Sequence, residues 1–365
     1  MERRDFIRKS VAATALLSSN PMLSCDSPKD NLRILVLGGT YFLGPSIVNA
    51  ALRNNHSVTL FNRGVTNPKL FPELKLINGD RELGIKAYNP LMKEHWDVII
   101  DVWPEKSKLV DEATSSLMDH TDHYVFISSI AVYSDFQQVG LIEESDVVNL
   151  PSNMEEWGYS EEKLAAELFI SDRFPDGHTI LRPGPIKGWR DPALDLLYWC
   201  IKLNRDESII APGSGFDPLQ FIDVNDVGRF AIMASENKNV GIYNCVGPRK
   251  EPLLWKDFLE LSKKHFNSQA QLHWASEEFL ASNEVSSFTD LPLWAPLSED
   301  KGFMQISNKK LTQTGFVYTP VNTTLDDCMK WFRDNMDTNL KFGTDEIDIG
   351  LERSRELELI AQLIE

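Results

Sequence analysis

The chain has 365 residues, 42% hydrophobic and 25% charged, values that exclude collagen-like, low-complexity and wholly disordered chains. Its 37 Lys and Arg stand against 54 Asp and Glu, a formal charge of −17, and a field of that sign repels phosphate backbones and weighs against nucleic-acid binding. No apolar run reaches the roughly 18 residues of a membrane span. The four cysteines, Cys25, Cys200, Cys245 and Cys328, form no CxxC pair, so neither zinc nor a disulfide framework is expected.

The first thirty residues read as an address. Arg3 and Arg4, then Phe6 and Ile7, precede a short apolar stretch from Val11 to Leu17. The arrangement resembles a twin-arginine export signal and predicts a periplasmic or cell-envelope protein. Leu23-Ser24-Cys25 loosely resembles a lipobox, but its aliphatic residue stands two places before the cysteine where three is usual. A lipid anchor at Cys25 therefore stays open.

Leu32 to Leu37 is a near-continuous apolar run, as expected of a parallel strand buried on both faces. Gly38, Gly39, Thr40, Tyr41, Phe42, Leu43 and Gly44 follow, then a helix through Ile47, Val48, Ala51 and Leu52, with Pro45 tolerated in its first turn. A second strand, Ser57 to Phe61, completes a βαβ unit. Glycine lets backbone approach a pyrophosphate, and a helix N-terminus offers free N–H groups to it. Here the glycine-rich turn has the strand before and helix after that such a site requires.

Further strands are predicted at Leu74 to Ile77, Trp96 to Val102, Tyr124 to Ile127, Thr179 to Leu181 and Ile242 to Val246, with helical stretches between most of them. That alternation means an α/β, doubly wound parallel sheet. Beyond about residue 185 the pattern loosens into a smaller lobe expected to cover the crevice at the strands' C-terminal ends. The last stretch, Gly350 to Glu365, reads as an amphipathic helix with apolar positions at Leu357, Ile360 and Ile364.

The chemistry concentrates in Tyr159-Ser160-Glu161-Glu162-Lys163. Tyrosine and lysine four apart share one helix face, and an ammonium beside a phenol favours the phenolate. Ser129 ends the strand at Phe126-Ile127 with a hydroxyl able to orient the same substrate oxygen. His120 and His123 have no ligand cluster beside them and read as surface or loop residues. Trp157, Trp189, Trp199 and Trp294 read as core packing before sugar stacking.

With Gly38 to Gly44, Asp80, Ser129, Tyr159 and Lys163 in order, the chain from residue 32 onward resembles the extended short-chain dehydrogenase/reductases called NAD-dependent epimerase/dehydratases. Arg182-Pro183-Gly184 and the segment Gln220 to Asp226 resemble the family's downstream motifs. The resemblance implies a Rossmann-like NAD(P)-binding domain over 31–247, to which 186–222 adds part of the substrate lobe, and a substrate-binding lobe over 248–365. It implies Tyr159 as general acid/base, Lys163 on the nicotinamide ribose, and Ser129 polarising the oxygen. Asp80 would meet the adenine amino group and Pro183 would line the nicotinamide pocket. A homodimer is an assembly the resemblance allows.

Four departures refine this. Tyr41 replaces the middle glycine of the turn. The second strand ends in Asn62 and Arg63 where an Asp would repel a 2′-phosphate, which favours NADP over NAD. Ile130 and Ala131 stand where the family's dehydratases carry an Asp-Glu pair, so dehydration by that route is not expected. Leu219 and Gln220 stand where nucleotide-sugar epimerases clamp a diphosphate with Arg, which puts a nucleotide-sugar substrate in doubt. The expected function is epimerase or oxidoreductase action on a carbohydrate-like hydroxyl or carbonyl, with the cofactor recycled in place because an exported enzyme has no pool of reduced nicotinamide. A net NADPH-dependent reductase and a non-catalytic nucleotide-binding protein are the alternatives.

Overall fold

Seven apolar runs become the strands of one parallel sheet: Arg33–Leu37 (β1), Ser57–Asn62 (β2), Lys75–Asn78 (β3), Trp96–Asp101 (β4), Thr121–Ile127 (β5), His178–Pro183 (β6) and Gly241–Cys245 (β7). These come from a computed structural model that describes residues 31–103, 105–248, 253–337 and 339–365. The export signal and the Cys25 tether lie outside the described residues. The strand order is β7-β6-β5-β4-β1-β2-β3. Order reverses between β1 and β4, and in a sheet of this kind the crevice beyond those strand ends receives ligands.

The longer helices are Leu43–Arg53 (α1), Ser107–Leu117 (α2), Tyr159–Arg173 (α3), Asp195–Arg205 (α4), Val224–Asn237 (α5), Trp255–Phe266 (α6), Val321–Asn335 (α7) and Arg353–Ile364 (α8). α1 and α5 bury Ile47, Val48, Val227 and Phe230 on one face of the sheet. α2 and α3 bury Val110, Leu117, Ala166 and Ile170 on the other. The α1–α5 crossing is close: a Cβ on Gly228 would stand 2.6 Å from the Ser46 backbone. A separate apolar core joins α4, α6, α7 and α8 with the parallel strands Ser208–Pro212 and Gln271–Ala275. Among the described residues no helix is long and apolar enough to cross a membrane.

Two readings change. β5 starts at Thr121, so His123 is a buried strand residue whose Nε2 lies 2.7 Å from Thr179 Oγ1, and burial lowers its pKa to about 4. It is a core histidine, since the neighbouring strand β6 covers the position. The terminal helix buries Glu356, Leu359 and Ile360, leaving Leu357 and Ile364 exposed. Its inner face is set by the Glu356 carboxylate, which pairs with Lys202 and Arg353 and accepts the Ile210 N–H. Trp199 and Trp294 are core residues as expected, with indole N–H groups donating to Pro292 O and Asp217 Oδ2.

Candidate active site

The ends of β1, β2, β4, β5 and β6 surround a cleft of about 750 Å³. Its walls contain every site residue read from the sequence: Gly38 to Gly44, Asn62, Arg63, Asp80, Ser129, Tyr159, Lys163 and Pro183.

The turn after β1 is shaped for close approach. Gly38 and Gly39 have φ of 108° and 96°, a region costly for any residue with a Cβ. A Cβ on Gly44 would lie 2.5 Å from the Gly39 backbone, so α1 can begin this near the turn only with glycine there. Phe42, at the N-cap of α1, makes no side-chain cap, which leaves the first N–H groups of an 11-residue helix to a ligand. The turn is held from outside: Asn67 Nδ2 donates to Thr40 O at 2.6 Å and Arg190 Nε to Tyr41 O at 3.2 Å. Tyr41 itself is 64% exposed and leaves the turn intact.

At the tip of β2, Asn62 Nδ2 donates to Gly38 O at 2.9 Å while its Oδ1 accepts the Gly64 N–H at 2.8 Å. Arg63 beside it is exposed, lines the cleft, and its guanidinium meets no carboxylate among the described residues. Asp80 caps the short turn after β3 by accepting the Glu82 N–H at 3.1 Å. The uncapped helix start, the glycine cradle and this carboxylate together fit a dinucleotide.

The Ser, Tyr and Lys set sits on α3 and just past β5. Ser129 Oγ accepts the Ala131 N–H at 3.1 Å, which fixes the turn after β5. Tyr159 opens α3, lines the cleft and is 55% exposed. Crowding by protein atoms raises the pKa of its phenol, and hydrogen bonding from Ser129 works the other way. Lys163, one turn on, is 2% exposed and donates from Nζ to Ile127 O at 2.7 Å. Burial holds its pKa well below the usual lysine value, with Asp101 and Glu167 opposing. The expected depression of the tyrosine by the lysine is thus not found in this state. The ammonium is committed to a backbone carbonyl and to aromatic faces instead.

Sequence reasoning missed the wall between β4 and α2. Trp103 lines the cleft, and its indole lies over Lys163 Nζ at 3.9 Å from the ring centroid. Beneath it Arg81 and Asp101 form a two-pronged ion pair, both contacts 2.8 Å, with Tyr124 also donating to Asp101 at 2.8 Å. On the other side Glu167 accepts from Arg182 Nε and Nη2 at 3.0 and 2.7 Å and from Ser128. The available signal was positional: in a parallel sheet the residues just past each strand line the crevice, and Trp103 follows β4.

A parallel sheet with a glycine turn at its switch point and a Ser, Tyr and Lys set at the same crevice defines an NAD-dependent enzyme. Residues 34–245 match the NAD dependent epimerase/dehydratase family, and the chain belongs to it. The chain is 24% identical over 242 residues to the chloroplast stem-loop binding protein of 41 kDa b of Arabidopsis thaliana. That match spans 61% of each protein, so the chain covers less than two thirds of the relative's length. Among solved structures it is similar to UDP-glucuronic acid 4-epimerase from Bacillus cereus in complex with NAD, with a TM-score of 0.59 and 16% identity over 84% of this chain and 98% of that one. It is also similar to UDP-glucose 4-epimerase from Thermus thermophilus in complex with NAD, with a TM-score of 0.59 and 16% identity over 84% and 100%. At such identities the likeness shows the fold.

Proposed function

We propose that the protein is an NADP-using epimerase or oxidoreductase that acts on a carbohydrate-like hydroxyl or carbonyl and recycles its cofactor in place. The observation that carries this is the meeting of Ser129, Tyr159 and Lys163 with the glycine turn in one cleft. Nicotinamide, when bound, supplies reversible hydride acceptance. Tyr159 takes the proton from the substrate hydroxyl and returns it to the oxygen. Ser129 hydrogen-bonds the same oxygen and aligns it with the phenol. Lys163 holds the ribose hydroxyls, and Trp103 with the β5 end keeps water from that wall.

Four points support the details. Among the described residues Arg63 lines the cleft without a carboxylate partner and no carboxylate stands at the β2 tip, which favours NADP over NAD. Gln220, at the position read against a diphosphate clamp, is 5% exposed and fully engaged: Nε2 donates to Gly247 O and Ile306 O, and Oε1 accepts the Ile306 N–H. A carbohydrate without a diphosphate therefore fits better than the UDP-sugars in the names of the structural neighbours. Stem-loop binding, from the name of the Arabidopsis relative, is opposed by a charge of −17. The twin-arginine reading supports recycling, because an exported chain would carry its cofactor with it.

The test is the fate of deuterium on the carbinol carbon, in a panel of free and nucleotide-linked sugars. Label kept in the product, without added cofactor, is expected. Tyr159→Phe should lower that turnover roughly 10²–10⁴-fold while leaving NADPH binding intact. Stoichiometric release of deuterated NADPH would make the protein a net dehydrogenase, and loss of label to solvent would sink the hydride mechanism.

A further inference from the structure

The wall that carries Trp103 is strained and tied at both ends. Trp103 has φ of 84° and Glu105 φ of 76°, in the left-handed region that bulky residues avoid. Such conformations persist where surroundings over-determine them, and they cluster at functional sites. At one end the Trp103 N–H donates to Asp101 Oδ1 at 3.2 Å, and Asp101 is fixed by Arg81 and Tyr124. At the other end Ser107 donates from its N–H, at 2.6 Å, and its hydroxyl to Glu162 Oε2, on the catalytic helix itself. The indole is thereby set edge-on to Phe126 and Tyr159, with centroids 5.8 and 6.3 Å away, and face-on to Lys163.

Lys163 needs such a neighbour. The charged groups around it are Asp101 on β4 and Glu167 on α3, with Tyr159 as the nearby titratable phenol. Asp101 is bonded by Arg81 and Tyr124, and Glu167 by Arg182 and Ser128. Among the described residues no carboxylate pairs with the Lys163 ammonium directly. Its contacts are the Ile127 carbonyl and the aromatic faces, of which Trp103 is nearest, with Phe126 at 5.3 Å. Burial disfavours that ammonium, and an indole face at this distance offsets part of the cost.

We propose that Trp103 is a positioning residue whose indole face holds the Lys163 ammonium, charged, against the Ile127 carbonyl at the wall of the cleft. The proposal rests on the reading of Lys163 as the ribose-holding group, and the experiment separates the two. NADPH binding is followed by its fluorescence from pH 6 to 9.5 in wild type, Trp103→Phe, Trp103→Leu and Lys163→Met, with thermal unfolding as the check on folding. Affinity carried by the charged lysine falls as pH rises through the lysine pKa. Trp103→Leu keeps an apolar side chain but loses the π face, so that fall should move down by about one pH unit, about 1.4 kcal/mol, with affinity at pH 6 changed less than about twofold. Trp103→Phe should restore most of the shift. Equal weakening at every pH, or equal behaviour of Phe and Leu variants, would reduce Trp103 to packing and overturn the proposal. If Lys163→Met binds NADPH like wild type, the ribose role fails instead. The inference is then read from the lysine ammonium NMR signal, whose titration must still move down in Trp103→Leu and which overturns the proposal if it does not.

Discussion

Asn62 and Arg63 are neighbours at the cleft with different work. The Asn62 amide is spent on Gly38 O and the Gly64 N–H, holding two loops together, while Arg63 is exposed and lines the cleft. If Arg63 grips the 2′-phosphate, Arg63→Ala should weaken NADP binding by about 1.5–3 kcal/mol, the range for hydrogen bonds to charged groups, and leave NAD nearly unchanged. Calorimetric titration with both cofactors decides it, and equal losses would remove the assignment. The glycine turn, Ser129, Tyr159 and Lys163 were legible in the sequence because their chemistry follows from residue type at short spacing. Trp103 was not, because its placement depends on a positive φ and on Asp101, whose own partner Arg81 lies twenty residues upstream. The Tyr159–Lys163 coupling read from i,i+4 spacing also needed more than the helix. Spacing puts both on one face, but the Ile127 carbonyl and the Trp103 indole decide where the ammonium points.

Elements were read well where burial is two-sided and less well where one side chain sets the geometry. The seven strands lie where they were predicted; for the inner five the reason is that a central parallel strand leaves few polar positions to blur the signal, whereas β3 is a mostly exposed edge strand. The segment from Gln220 to Asp226 was recognisable as a motif, yet its physical work appears only in the fold. Gln220 pegs the chain to Gly247 and Ile306, Asp226 binds the Thr319 N–H at 2.8 Å, and Asp223 caps α5 by accepting the Asn225 N–H at 2.7 Å. The other Asp223 oxygen is buried beside Thr324 without a good hydrogen bond, and burial pushes this carboxyl from 3.8 up to about 6. A carboxyl with a raised folded pKa contributes its full stability below about pH 4 and loses it as pH rises through 6. Asp223→Asn keeps a capping side chain without the charge. It should therefore stabilise the protein at pH 7.5 by up to about 3 kcal/mol, with the gain vanishing near pH 4. Urea midpoints at the two pH values test this, and the same gain at both would exclude ionisation as the cause.

At the scale of the molecule, the described cleft walls end at Ile186, while the core joining α4, α6, α7 and α8 lies farther along the chain. That lobe resisted sequence reading because its contacts are long-range: Glu356, near the C-terminus, is fully buried and meets Lys202, Arg353 and the Ile210 N–H, some 150 residues away for Lys202 and Ile210. Nothing in a terminal amphipathic pattern announces an inward-facing glutamate. Glu356→Leu leaves Lys202, 4% exposed, with Asp206 at 3.0 Å as its remaining partner. Removing one member of a buried ion pair costs about 3–5 kcal/mol, whereas replacing both by apolar groups is often neutral. Asp206 keeps part of the lysine's compensation, so the single variant should lose about 3 kcal/mol, and adding Lys202→Met should recover most of it. NADPH affinity should stay within a few-fold throughout, because neither residue reaches the cleft. Chemical denaturation and NADPH titration of the two variants give both readings. If the double variant is no more stable than the single, uncompensated charge is not what the pair guards against. If NADPH affinity falls in step with stability, the lobe and the dinucleotide cleft behave as one cooperative unit.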